Sequence, residues 1–360
     1  SVTANGAQFT INAGTTAGGS LTLSGPIDLS DTTGVQLNVT GSNDTTIAGD
    51  IKGAGGSLVK NDTGNLTLKG TNTYSAGTTV SDGTLDTTGG GTLENTGAVT
   101  VGGSGTYTVG TADTIGVLDN AGTVNVNQDL TASDITGAGG LAIANTQTLT
   151  ADNTAASTYS GVISGDGSLT KTGAQTLTLT GANTYSGGTT VTAGTLTGDT
   201  DSLQGNITNN ATLTFDQGVA GTYSDVISGS GNLVKNSGGD VTFSGTNTYT
   251  GATQINAGTL SLGGNNVLSD DTAVTVAGGT FDLANQSDAV GSIAGGGNIT
   301  LGSGALTAGG DNTSTTFSGV ISESGSLTKA GSGTLTLTGN NSYTGGTTVT
   351  GGTLTGDTDS

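Results

Sequence analysis

The chain has 360 residues, 69 of them glycine, with a single proline and no cysteine, histidine, methionine or tryptophan. Six lysines, with no arginine, stand against 27 acidic residues for a net charge of −21, which argues against nucleic acid and anionic membranes, since both are bound by neutralising phosphates. The missing cysteines exclude a disulfide framework, no apolar run approaches the ~20 residues of a membrane-spanning helix, and Ser1 opens no signal peptide, so the chain reads as a mature protein or an excised fragment.

Helix is disfavoured throughout: glutamate occurs only at Glu94 and Glu323, while threonine and glycine oppose helix through side-chain stiffness and backbone entropy. The chain reads as all β. Pro26 is its only proline, which suits long ladders of backbone hydrogen bonds.

In chain order, "TIAGDIKGAGG" leads into a first unit that ends at Leu85, "GSLVKNDTGNLTLKGTNTYSAGTTVSDGTL". A second, "GSLTKTGAQTLTLTGANTYSGGTTVTAGTL", ends at Leu196 after the flank "TYSGVISGDG". The third, "GNLVKNSGGDVTFSGTNTYTGATQINAGTL", ends at Leu260 and departs from the others at "GGDVTFSG". The fourth, "GSLTKAGSGTLTLTGNNSYTGGTTVTGGTL", ends at Leu354. With their flanks the repeat units occupy about 47–85, 157–196, 221–260 and 315–354. In every copy a lysine (Lys60, Lys171, Lys235, Lys329) precedes a tyrosine (Tyr74, Tyr185, Tyr249, Tyr343) by 14 residues. The lysines themselves are 111, 64 and 94 residues apart. A closed ring would resist such uneven spacing, whereas an open solenoid accepts it because each coil touches only its neighbours.

Within the second unit the alternation predicts strands over Ser168 to Lys171, Thr176 to Thr180 and Thr189 to Thr192, separated by glycine-containing turns. Leu177 and Leu179 then face a core and the threonines face outward. Three short strands per coil of roughly 20 residues, stacked ~4.8 Å apart, give one continuous three-sided β-solenoid from 1 to 360, a rod on the order of 80 to 90 Å long.

The pattern G-x-L-x-K-x-G, T-L-x-L-x-G-x-N-x-Y-x-G, T-x-V-x-x-G-x-L resembles the passenger-associated repeat of bacterial autotransporters, over Gly56 to Leu85, Gly167 to Leu196, Gly231 to Leu260 and Gly325 to Leu354. "LQGNITNNATLTFDQ" and "NVLSDDTAVTVAGGTFDLANQSDAVGSIAGGG" are similar to linking segments of such passengers. The resemblance implies a single-stranded right-handed parallel β-helix, export across the outer membrane by a translocator, and display at the bacterial surface. The chain itself carries no membrane barrel, and its final "GTLTGDTDS" also occurs at Gly194 to Ser202 with more sequence after it, so Ser360 reads as a cut through a continuing array.

Candidate sites each have a plain structural reading beside the functional one. The aligned lysines could meet an anionic receptor, but the reading adopted is that they satisfy turn carbonyls and keep their heads in water. The aligned tyrosines could stack on sugars, but are read as packed on the neighbouring coil with the hydroxyl exposed. "GDTD" at Gly198 to Asp201 and "SDD" at Ser269 to Asp271 offer calcium-type oxygens, yet turn carboxylates mostly bond their own backbone. Asn38, Asn43, Asn61 and Asn65 open glycosylation-type sequons.

No catalytic, cofactor or metal residue is assigned, because without histidine or arginine the acid/base and nucleophilic schemes lack obvious parts, although two aspartates could still converge in space. The function expected is non-enzymatic: a β-helical stalk or adhesin serving surface display, adhesion, self-association or biofilm formation, whose partners are copies of itself or a host or matrix surface. The alternatives are a subunit of an extracellular fibre or surface layer and, less favoured, a polysaccharide-degrading β-helix enzyme.

Overall fold

The structure is a computed structural model that describes residues 2–3, 8–14, 18–30, 34–94 and 96–356. Among these residues every regular element is a β-strand and every strand pairing is parallel. The chain is an all-β parallel β-helix. It divides into two compact units, Ser1–Gly188 and Thr189–Ser360.

In the first unit three columns of strands run from coil to coil. One passes Val39, Lys60, Val80 and Val101 in direct register, continuing through Asn120, Gly137, Tyr159 and Leu179. A second passes Leu66, Leu85, Tyr107, Val124, Leu141 and Ile163. The third starts at Ile27 and Ile51, is reduced to a lone bridge between Thr71 and Thr92, and resumes at Ile115, Ala132, Ala151 and Lys171. Each coil therefore has three sides, as the alternation predicted. Coil length is elastic: Tyr107 to Val124 advances 17 residues, Leu149 to Leu169 advances 20, and Gln8 to Gln36 advances 28. The predicted strands stand at Ser168–Lys171, Thr176–Leu179 and, in the second unit, Thr189–Val191.

The core is aliphatic because side chains alternate across each strand and only one set can escape water. Leu177 and Leu179 are buried as expected, and so are Leu66, Leu85, Val124, Leu141, Leu149 and Leu169. Parallel stacking also gives the strand N–H and C=O groups partners in the neighbouring coil.

The second unit repeats this plan. Its main column passes Phe215, Lys235, Ile255, Val276, Gly295, Phe317 and Leu337. A second runs Tyr223, Phe243 and Leu262, and a third Val290, Ala308, Lys329 and Val349. The irregular third repeat acquires its reason here. Phe243, where other copies have leucine, meets Phe215 edge-on at 5.2 Å, and Tyr223 completes the cluster at 5.3 Å from Phe215, a preferred aromatic geometry.

The columns also show that equivalent residues do not share a side. Lys60 lies in the first column of its unit and Lys171 in the third; Lys235 lies in the main column and Lys329 in the third. The lengths between copies are not whole numbers of coils, so the repeat turns by one side within each unit.

Candidate functional site

The four aligned lysines are inside the protein, each at most 1% exposed. Each side chain runs along the core and curls back so that its ammonium fills a nest of turn carbonyls. Lys60 Nζ donates to the carbonyls of Asn61 (3.0 Å), Asp62 and Asp82 (3.2 Å), the last belonging to the next coil. Lys235 does the same with Asn236 (2.7 Å), Ser237 (2.8 Å) and Ala257 (3.1 Å), and Lys329 with Ala330, Gly331 (3.1 Å) and Gly351 (3.4 Å). Lys171 donates to Gly173. The expectation was right about turn carbonyls and wrong about water. At Lys60, Lys235 and Lys329 three backbone acceptors replace hydration of the ammonium, which lets the aliphatic stem stay in the core. Burial pushes the Lys60 ammonium below its ordinary pKa, with Asp82 and Asp62 opposing that shift.

The tyrosines are corrected likewise. Tyr74, Tyr185 and Tyr249 are buried entirely, hydroxyl included. Tyr74 and Tyr249 share hydrogen bonds of 2.6 Å with Thr78 and Thr253, four residues on, and Tyr343, half-buried, shares one of 2.5 Å with Thr347. A threonine at that spacing gives the phenol a local partner, so no water is needed. Apart from the half-buried Tyr343, neither aligned residue type is left free to meet a receptor.

Sequence reasoning passed over the asparagine two residues before each tyrosine. Asn72, Asn183, Asn247 and Asn341 each accept, at 2.8 to 2.9 Å, the backbone N–H of Ile51, Ile163, Ile227 and Ile321 one coil earlier. Asn72 and Asn247 also donate forward to the carbonyls of Thr92 (2.7 Å) and Val267 (3.1 Å). The signal was present in "NTY", "NTY", "NTY" and "NSY".

The acidic clusters behave as turn residues. Asp199 accepts the N–H groups of Asp201 (3.1 Å) and Ser202 (2.9 Å), and the N–H of Asp271 faces Ser269 Oγ at 3.4 Å. Of the sequon asparagines, Asn38 is buried and Asn65 is exposed. Asp113 and Asp129 do converge, on one open hollow of about 370 Å³ that Thr92, Thr114 and Thr131 also line. Both carboxylates there accept backbone N–H groups, Asp113 from Leu93 and Thr114 and Asp129 from Thr148. Among the described residues no group of three or more metal-ligating side chains is placed to hold an ion.

What remains for contact is the outside of the columns. Thr114, Thr131, Thr150 and Thr170 follow one another on four successive coils of the first unit, and Thr307, Thr328 and Thr348 on three coils of the second.

Comparison with known proteins fits this geometry. The passenger-associated-transport-repeat model matches residues 58–86, 169–197, 233–262 and 327–355, the same four stretches that carry the lysine nests. Four passenger-associated-transport repeats therefore run through this chain. It is 35% identical over 302 residues to the adhesin BmaC autotransporter of Brucella suis biovar 1 (strain 1330), an alignment that takes in 79% of this chain and 8% of that protein. The passenger segment thus spans about a twelfth of the curated relative it matches, and no solved structure matches it. The passenger repeats and the similarity to an autotransporter indicate a polypeptide carried across the outer membrane to the cell surface.

Proposed function

We propose that the passenger segment is a non-enzymatic, adhesin-like part of a surface protein that works by presenting repeated polar rungs to a host or matrix surface or to a second copy of itself. The observation that carries this reading is the division of labour between the two sides of the strands. The lysines, tyrosines and asparagines of the repeat are consumed inside by coil-to-coil bonding, while threonines recur outside at the spacing of the coils. Many weak contacts at ~4.8 Å intervals add up through multivalency. The similarity to a protein named as an adhesin points the same way.

Surface charge tempers association between copies. With four lysines buried, only Lys52 and Lys69 reach solvent, and Lys52 is paired with Asp50 at 3.2 Å. The exterior is therefore acidic almost without relief, and the screening length shrinks from about 30 Å at 0.01 M salt to about 3 Å at 1 M. Light scattering should rise with ionic strength in the parent segment, and a variant with Thr131, Thr150 and Thr170 changed to lysine should lose attachment of displayed cells to a matrix-coated surface. Attachment unchanged in that folded variant would remove the threonine rungs from the function.

A further inference from the structure

On the third side of the first unit, two residues of each coil face outward around one that faces in. Thr71 and Thr73 flank Asn72, Thr92 and Glu94 flank Leu93, Ala112 and Thr114 flank Asp113, and Asp129 and Thr131 flank Leu130. Between the first and third of these coils the ladder is thin. A lone bridge joins Thr71 to Thr92, and the side chains of Asn72 and Asp113 supply links that strand pairing supplies elsewhere. The outer surface is hollowed there. One hollow of about 270 Å³ is lined by Thr71, Thr73 and Glu94, and the one of about 370 Å³ by Thr114, Asp129 and Thr131; Thr92 lines both, so they form one groove across four coils. The larger hollow falls within the ~300 to 1,000 Å³ of ligand pockets and the smaller lies just below it.

The hydroxyls of this groove are free. Thr71, Thr73, Thr92, Thr114 and Thr131 make no side-chain hydrogen bond among the described residues, whereas Thr87, Thr88, Thr96 and Thr111 at nearby corners all do. Each free hydroxyl can donate one bond and accept two. Asp129, exposed at the rim, accepts the Thr148 N–H on one oxygen and leaves the other open. No lysine lines either hollow, and Lys52, one coil back, is paired with Asp50. An anionic ligand therefore meets repulsion, while a ligand built of hydroxyls meets donors and acceptors at every coil. The groove spans three coil steps of ~4.8 Å, about 14 Å in all, which is the length of a short oligosaccharide.

We propose that the groove binds a linear, non-anionic glycan laid along the coil stack, its hydroxyls exchanging hydrogen bonds with Thr73, Thr92, Thr114 and Thr131 and one sugar hydroxyl or amine donating to Asp129. The inference rests on the reading of the segment as a presenter of polar rungs and gives that reading a ligand class. No aromatic face lines the groove for a sugar ring to stack on. Affinity per groove is therefore weak, and copies displayed together on a surface raise it through multivalency.

The test is titration of the whole chain, read by calorimetry and saturation-transfer NMR, with three tetramers as probes: N-acetylglucosamine, glucosamine and galacturonate. The first two should bind in the millimolar range and the galacturonate tetramer should not bind. Thr92→Val keeps the shape and removes the hydroxyl shared by both hollows, and Ala112→Trp fills the larger one. Each should weaken binding about tenfold, while Thr170→Val, beyond the groove, leaves it unchanged. A parent chain that binds none of the tetramers overturns the groove, as does a preference for galacturonate or binding that both groove substitutions leave intact. Should a variant fail to fold, the order of the three probes on the parent chain decides. Displayed cells that hold to a matrix-coated surface while no tetramer binds remove the groove and keep the rungs. Tetramer binding alongside attachment that survives the threonine-to-lysine variant removes the rungs and keeps the groove.

Discussion

A lysine whose ammonium never reaches solvent is the residue that most distinguishes this repeat from any threonine-rich ladder. Three carbonyls converge on Lys60 from two successive coils. The glycine of each closing "GTL" makes room: Gly83 has φ +67°, and a Cβ there would lie 2.5 Å from the Asp62 carbonyl and 2.8 Å from Lys60 Nζ. That conformation favours glycine. Lys60→Met keeps the stem and removes the donor, leaving acceptors buried without partners. It should cost about 3 kcal/mol, read as a lowered denaturant midpoint in the first unit, and Gly83→Ala should be destabilising at the same spot by about 2 kcal/mol or more. If Lys60→Met is as stable as the parent, the nest is an accident of packing. From sequence the lysine was visible as a fixed point but its depth was not, because a charged residue at a turn reads as solvated unless the acceptors that replace water are known.

Coils are joined by more than their ladders. Asn247 ties three coils at once, accepting from Ile227 at 2.8 Å and donating to Val267 at 3.1 Å. Asn247→Ala should leave the Ile227 N–H and one bond to the Val267 carbonyl unmade, costing about 2 kcal/mol. The loss should be felt as faster amide exchange in the two neighbouring coils, and protection unchanged in those coils would assign Asn247 no clamping role. At this scale the fold was largely legible. Alternation of leucine with threonine in "TLTLTG" gave strand positions that agree to one residue with Ser168–Lys171 and Thr176–Leu179. The side of the coil on which each strand falls was not legible. It depends on the summed lengths of coils that range from 17 to 28 residues, and a one-sided shift accumulates between Lys60 and Lys171 without leaving any mark inside the repeat itself. The asparagine clamps were spelled out four times and were missed because asparagine shortly after a glycine reads first as a turn former.

For the whole molecule, charge and burial combine into one pH response whose parts can be separated. Asp113 and Asp288 have pKa values raised to about 6 by burial, above the ordinary 3.8. A carboxyl with a raised folded-state pKa contributes stability that is full below the unfolded value and is lost as pH climbs through the folded one. Stability should therefore fall between pH 4 and pH 7, opposite to acid denaturation of the ordinary kind. Repulsion among the exposed carboxylates, set by a net charge of −21, acts in the same direction. Asp28, held low by hydrogen bonds from Ser30, and Asp311, where bonds from Ser292 and Thr313 outweigh burial, lose their contributions only below the ordinary carboxylate range. Salt divides the two remaining effects, because it screens surface charge far more than buried charge. Urea midpoints should be higher at pH 5 than at pH 7.5, and 0.5 M sodium chloride should recover only part of the difference. The part that salt leaves behind should vanish in the Asp113→Asn, Asp288→Asn double variant. A pH difference that salt erases completely would mean that the two aspartates are solvated in the folded protein and that the exterior alone governs its response to acid.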